Sequence, residues 1–139
     1  MAKETDIYEL LARHLKKWHV DLLWRFDSSG INNPSPRSRA LYSRINASRG
    51  YPDLFIARPR LKPQSVDSYA GMFLEIKAEG YRPSKNKQHD AEQRAVIGKL
   101  VDEGYYAAMA VGYDNALYCI HQYLGEPCTG DTPEEGFEF

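Results

Sequence analysis

Apolar residues recur along the first twenty positions with helical spacing. Ile7, Leu10, Leu11, His14, Leu15 and Trp18 share one face, which predicts an amphipathic helix over Thr5–His19 with Thr5 or Asp6 as its cap. Asp21–Phe26 then reads as a strand, and Asp27-Ser-Ser-Gly with Asn33-Pro-Ser-Pro-Arg as a loop. Ser38–Asn46 fits a short helix. Two compact apolar runs follow, Asp53–Ala57 and Gly71–Ala78, on either side of a polar, proline-containing loop at Arg58–Ala70; they predict a hairpin or adjacent strands. A long helix is expected over Ser84–Glu103, with Val96, Ile97, Leu100 and Val101 as its core stripe and Gly104 as its C-cap. Tyr105–Val111 reads as a strand. Asp114–Leu124 reads as a last helix, with Leu117, Ile120, His121 and Leu124 on one side. Trp18 and Trp24 fall on apolar faces and are expected in the core. The order αβ(α)ββαβα predicts an α/β fold, a mixed central sheet flanked by helices.

The 139 residues are the size of one domain, read as residues 1–124 followed by an acidic tail at 125–139. The net charge of -1 conceals a segregation. All 18 Lys and Arg lie before residue 100, and of the 19 acids five (Glu126, Asp131, Glu134, Glu135, Glu138) lie in the tail, so the body carries 18 bases against 14 acids. Arg37 to Lys62 holds seven bases and a single acid, Asp53. Such a run suits phosphate contact, although a solvated loop surface is an equally simple reading. The polar N-terminus does not read as a signal peptide, and no run of about 18 apolar residues is seen that would predict a membrane span. The two cysteines, Cys119 and Cys128, show no metal-ligand spacing, so neither a zinc site nor a disulfide framework is expected. The expected setting is a reducing, intracellular one.

Two acids interrupt this pattern. Asp53 precedes Leu54-Phe55-Ile56, and Glu75 and Lys77 flank Ile76 behind Met72-Phe73-Leu74. Strand side chains alternate faces, so Glu75 and Lys77 point one way while Leu74 and Ile76 point the other. A carboxylate and an ammonium on a half-buried strand need partners or a metal. An ion pair that merely stabilises the sheet is the commoner explanation of an isolated Glu-x-Lys. Two carboxylates with a lysine beside them, however, are what metal-assisted phosphodiester hydrolysis requires. Oxygen ligands hold a hard cation, and the lysine offsets developing charge.

The ordered segments around these residues carry a resemblance. Gly50-Tyr-Pro-Asp-Leu-Phe-Ile, then Phe73-Leu-Glu-Ile-Lys-Ala, then a helix bearing Gln93 and ending at Gly104-Tyr105 resemble the virus-type replication-repair nuclease (VRR-NUC) family of the PD-(D/E)XK nuclease superfamily, its stand-alone, phage-type members in particular. The match extends over roughly Glu4 to Leu124. The resemblance implies a restriction-endonuclease-like core and a Mg²⁺- or Mn²⁺-dependent DNA endonuclease. It implies Asp53, Glu75 and the carbonyl of Ile76 as metal ligands, Lys77 as the catalytic lysine, and Gln93 at the site. Gln93 also shares a helix face with the apolar stripe, whereas Gln88 does not; His89, one turn earlier, is a weaker candidate. For the first-helix acid of the family, Glu4 and Glu9 compete, and Glu4 is preferred because it continues the buried face. The basic residues Arg37, Arg39, Arg44, Arg49, Lys85 and Lys87 are candidate DNA contacts, and Tyr42, Tyr51, Tyr69 and Tyr81 are nearby aromatics. Stand-alone members of the family act as homodimers on branched DNA such as Holliday junctions or flaps, in replication, recombination or repair; a virus-encoded member acts in the host cytoplasm. A nuclease on unbranched or single-stranded DNA, or an inactive nucleic-acid-binding module, are the alternatives.

Overall fold

The computed structural model describes residues 3–27, 35–46, 50–61, 68–82 and 87–125. The chain runs α1 (Glu4–Trp18), β1 (Trp24–Phe26), α2 (Pro36–Ile45), β2 (Leu54–Ile56), β3 (Met72–Lys77), α3 (Lys87–Asp102), β4 (Tyr106–Val111) and α4 (Tyr113–Leu124). The four strands form one sheet in the order β1-β2-β3-β4. β1, β2 and β3 are antiparallel neighbours, whereas β4 runs parallel to β3. A parallel neighbour cannot be reached by a tight turn, and α3 supplies the crossover. The expected mixed sheet flanked by helices is therefore the observed α/β fold.

The alternation along β3 divides the molecule. Met72, Leu74 and Ile76, with Leu54 and Ile56 of β2, pack against Ile7, Leu10, Leu11 and Leu15 of α1 and Ala116, Leu117, Ile120 and Tyr123 of α4. These side chains are almost wholly removed from water, and each large aliphatic one contributes roughly 1.5–3 kcal/mol. Phe73, Glu75 and Lys77 lie at the alternate positions, on the face that α3 crosses. There Phe73 stacks on Phe55 (ring centroids 4.6 Å apart) and meets Tyr51 and Tyr105 edge-on.

Several expectations change. α1 begins one residue earlier than expected, with Lys3 as N-cap residue; its backbone N–H donates to the Asp6 carboxylate at 3.0 Å. Asp6 thus serves from inside the first turn, rather than as the cap itself. Trp18 is 54% exposed, with Lys17 Nζ 5.0 Å from its ring centre, because the face it continues runs beyond the last core contact at Leu15. Trp24 is half-buried against the core edge. The stripe expected on α3 is only partly covered. Val96, Ile97 and Leu100 are half-buried and Val101 is exposed, while the buried residues of this helix are the polar Asp90 and Gln93. Its end follows the expected design: Gly104 adopts φ +94°, its N–H donates to Val101 O, and Tyr105 N–H donates to Leu100 O. Tyr69 packs edge-on against Tyr106 and near Tyr123, so it belongs to the core margin. Among the described residues no helix is long and apolar enough to cross a membrane.

Candidate active site

Asp53, Glu75, Lys77 and Gln93 converge from the entry to β2, the C-terminal half of β3 and the first half of α3. The approach of the first to the last depends on Gly50. Its φ of +81° is open to glycine, and a Cβ there would lie 2.8 Å from the Gln93 amide nitrogen and the Glu92 carbonyl carbon, both rigid helix backbone. Glycine lets the Tyr51-Pro52-Asp53 segment pass directly against α3. Phe73 beneath Tyr51 supports the same turn.

Asp53 then turns toward β3, and its Oδ2 accepts the Ile76 N–H at 2.8 Å. In an antiparallel ladder the N–H and C=O of one residue point to the same neighbouring strand. The β2–β3 register pairs Leu54 with Leu74, and continued by two residues it sets Pro52 opposite Ile76. Proline has no N–H to give the Ile76 carbonyl. The Pro-Asp pair therefore does two things. Aspartate takes the strand's N–H through its side chain, and proline leaves the adjacent carbonyl oxygen without a ladder donor.

Glu75 and Lys77 are almost fully buried, at 3% and 4% exposure. Gln93 bridges them. Lys77 Nζ donates to Gln93 Oε1 at 2.6 Å, and Gln93 Nε2 donates to Glu75 Oε1 at 2.9 Å. This network fixes the orientation of the amide. The lysine ammonium also lies 3.7 Å from Glu75 Oε1 and 3.9 Å from Asp90 Oδ1, and 5.0 Å from the centre of the Tyr81 ring. The second oxygen of Glu75, Oε2, is buried and receives no hydrogen bond.

The electrostatics follow from this crowding. Burial, with the Asp53 charge beside it, pushes the Glu75 carboxyl up to about 9. Asp53 is also raised, chiefly by burial, against the opposing hydrogen bond from Ile76 N–H. The two carboxyls are close enough to share a proton. Such a pair resists double ionisation until a cation joins it. The Tyr8 hydroxyl of α1 is pushed up by burial and by Asp53, to which it donates a hydrogen bond. Glu4, one turn earlier on α1, is exposed, yet its carboxyl is raised by desolvation and by the charge of Asp53, and lowered by Lys77 and His89. It therefore sits at the rim of the cluster. Glu9 is exposed on α1.

Tyr8 and Asp90 were not singled out from the sequence. Both had a signal of spacing: Tyr8 is four residues after Glu4, and Asp90 is three before Gln93, each one helical turn from a residue already identified. His89 and Gln88 are exposed. Of the candidate DNA contacts, Arg37, Arg39 and Arg44 lie on α2, where every side chain described except Ser38 is exposed, and Lys87 is exposed at the start of α3. The structure does not bring these into contact with the acidic cluster. Arg49 and Lys85, and the tail from residue 126, lie outside the described residues.

A buried carboxylate oxygen without a donor, a second carboxylate against it and a strand carbonyl facing a proline are hard oxygen donors. Such donors suit Mg²⁺ or Mn²⁺ rather than a softer ion. Neither a family model nor a curated protein sequence matches the chain. Among solved structures the fold is similar to that of a VRR_NUC domain protein, with a TM-score of 0.65 and 25% sequence identity over 90% of each chain.

Proposed function

We propose that the protein is a metal-dependent endonuclease of the VRR-NUC type that hydrolyses phosphodiester bonds in DNA, a reading supported by its structural likeness to a VRR_NUC domain protein. The observation that carries the reading is the Asp53–Glu75 carboxyl pair with Glu75 Oε2 buried and receiving no hydrogen bond, beside a lysine held by Gln93. Asp53, Glu75 and the Ile76 carbonyl would hold Mg²⁺ or Mn²⁺, with Glu4 at the rim as a further carboxylate. When bound, the ion polarises a phosphoryl oxygen and makes a water more acidic.

The chain's own residues supply the rest. Lys77 presents a fixed positive charge to the phosphoryl oxygens and can orient the attacking water; its ammonium is preorganised by Gln93 and Asp90, so little rearrangement accompanies charge development. Gln93 bridges Lys77 and Glu75 and so fixes the orientation of both side chains. Tyr8 and the Ile76 N–H fix the Asp53 carboxyl. Arg37, Arg39 and Arg44 on α2, with Arg49, Lys85 and Lys87, would contact the DNA backbone and add affinity without sequence information.

For substrate we propose branched DNA, cut by a homodimer that presents two sites to two strands. Labelled four-way junctions, flaps, duplex and single strands incubated with the protein and Mn²⁺ test this. Preferential cutting of branched forms is expected; equal cutting of unbranched duplex or single strands would establish the alternative specificity. Gel filtration should give a dimer, and a monomer both with and without DNA contradicts the two-site arrangement.

A further inference from the structure

The cysteine spacing gave no reason to expect a zinc site, but it could not reveal histidines that meet only in the folded chain. His14 of α1, His19 at the C-cap of α1 and His121 of α4 come together, each offering a ring nitrogen within 4.8 Å of the others. His14 and His121 are buried and His19 is half-exposed. The Nε2 atoms of His14 and His121 stand 3.3 Å apart, and the ring centres of His14 and His19 are 5.4 Å apart.

We propose that these three imidazoles form a second metal site, selective for Zn²⁺ or a similar first-row ion and separate from the carboxylate cluster. Zinc binds imidazole nitrogen at about 2.0–2.1 Å in tetrahedral geometry, which sets ligand nitrogens roughly 3.3–3.4 Å apart. His14 and His121 already have that separation. The same distance suits a hydrogen bond between the two rings, which holds the pair in the metal-free protein. His19 must move inward by at most about 1.5 Å to complete a tetrahedral edge, and it is the half-exposed member of the three. Nitrogen donors select against Mg²⁺, which takes oxygen ligands, so the two sites sort ions by chemistry. Three protein ligands leave a fourth position, and the solvent side of His19 is where water can reach it.

The position gives the site a structural role. It ties the C-terminal end of α1 to α4, the two helices that cover the apolar face of the sheet. Tyr8, on the same helix, belongs to the carboxylate cluster, and His14 lies six residues further on, about 9 Å along the axis. The ion therefore fixes the helix whose opposite end carries Glu4 and Tyr8.

The test uses tag-free full-length protein, stripped with chelator, dialysed against Zn²⁺ and assayed for bound metal, thermal stability and, with Co²⁺, visible absorption. Wild type should retain one Zn²⁺ per chain, gain roughly 5 °C or more in Tm at saturating metal, and give the intense bands of low-coordinate Co²⁺. The Asp53→Asn, Glu75→Gln double variant should behave alike. His19→Ala, at a half-exposed position where folding is easily kept and checked by circular dichroism, should bind at least tenfold more weakly and lose the Tm gain, as should His121→Gln. Retention of Zn²⁺ by His19→Ala at wild-type affinity, its loss in the acid double variant alone, or no Zn²⁺ bound by wild type would each overturn the assignment.

Discussion

At the scale of single residues, Glu75 holds opposing demands. Its carboxyl is buried against Asp53 and raised from 4.5 to about 9. Between those values the folded chain keeps a proton that the unfolded chain has released. The contribution of Glu75 to metal-free stability is therefore fully present below pH 4.5 and is lost as pH rises toward about 9. Metal binding must expel the shared proton, so the stabilisation given by Mn²⁺ should grow over the same interval. Urea melts from pH ~5 to ~9 are expected to show both trends, and Glu75→Gln should flatten both. Gln93→Ala removes the bridge between Glu75 and Lys77 and leaves buried groups unpaired. A loss of about 1–3 kcal/mol in urea unfolding is expected, with cleavage falling further than stability alone would explain. The residues legible in the sequence were those that broke a pattern: Asp53, Glu75 and Lys77 are charges inside apolar strand runs, and Gln93 is a polar residue on an apolar helix face. Tyr8 and Asp90 broke no pattern. A tyrosine beside Ile7 and an aspartate in a first helical turn look ordinary until the tertiary fold brings Asp53 and Lys77 to them.

At the scale of elements, the site depends on how closely the β2 approach passes α3. Gly50 makes that possible by its positive φ and its missing Cβ. Gly50→Ala would force a methyl into helix backbone and hold alanine in a left-handed conformation. A loss of roughly 2 kcal/mol or more is expected, together with weakened Mn²⁺ binding as Asp53 moves away from Ile76; differential scanning calorimetry and a metal titration would read the two effects. Element boundaries were legible where a chemical signal marked them, as at Gly104, where the backbone needs a left-handed residue. They were less legible in α3. Its apolar stripe read as core, but the helix crosses the sheet face that carries Glu75 and Lys77, and the positions it buries most deeply are the ones that serve those charges. Trp18 shows the same limit from the other side: periodicity assigns a face but cannot say how far along the helix the packing partner extends.

At the scale of the whole molecule, charge is segregated along the chain, with every base before residue 100. α2 exposes Arg37, Arg39 and Arg44 while packing little of its own surface. If these three contact phosphates, replacing all of them with Gln should lower the slope of log affinity against log salt for duplex or branched DNA by about 2–3, close to one per lost contact. An unchanged slope would move the DNA path elsewhere on the surface. The mixed topology followed from the alternation of strand and helix patterns, although the sequence left open whether β2 and β3 formed a hairpin or only lay side by side. The histidine cluster could not be read at all. His121 lies more than a hundred residues beyond His14 and His19, and the two buried members, His14 and His121, sit at positions that periodicity explains as packing.

In the proposed function Asp53, Glu75 and Lys77 form a metal-dependent phosphodiesterase centre. It is tested most directly by following cleavage of a labelled four-way junction with Mn²⁺, wild type beside Lys77→Ala, while DNA binding is measured on the same samples. Wild type should cut only when the metal is present, and Lys77→Ala should cut about 10²- to 10³-fold more slowly at unchanged DNA affinity. Cleavage by Lys77→Ala at the wild-type rate, or no cleavage of any DNA structure by wild type, would contradict the claim.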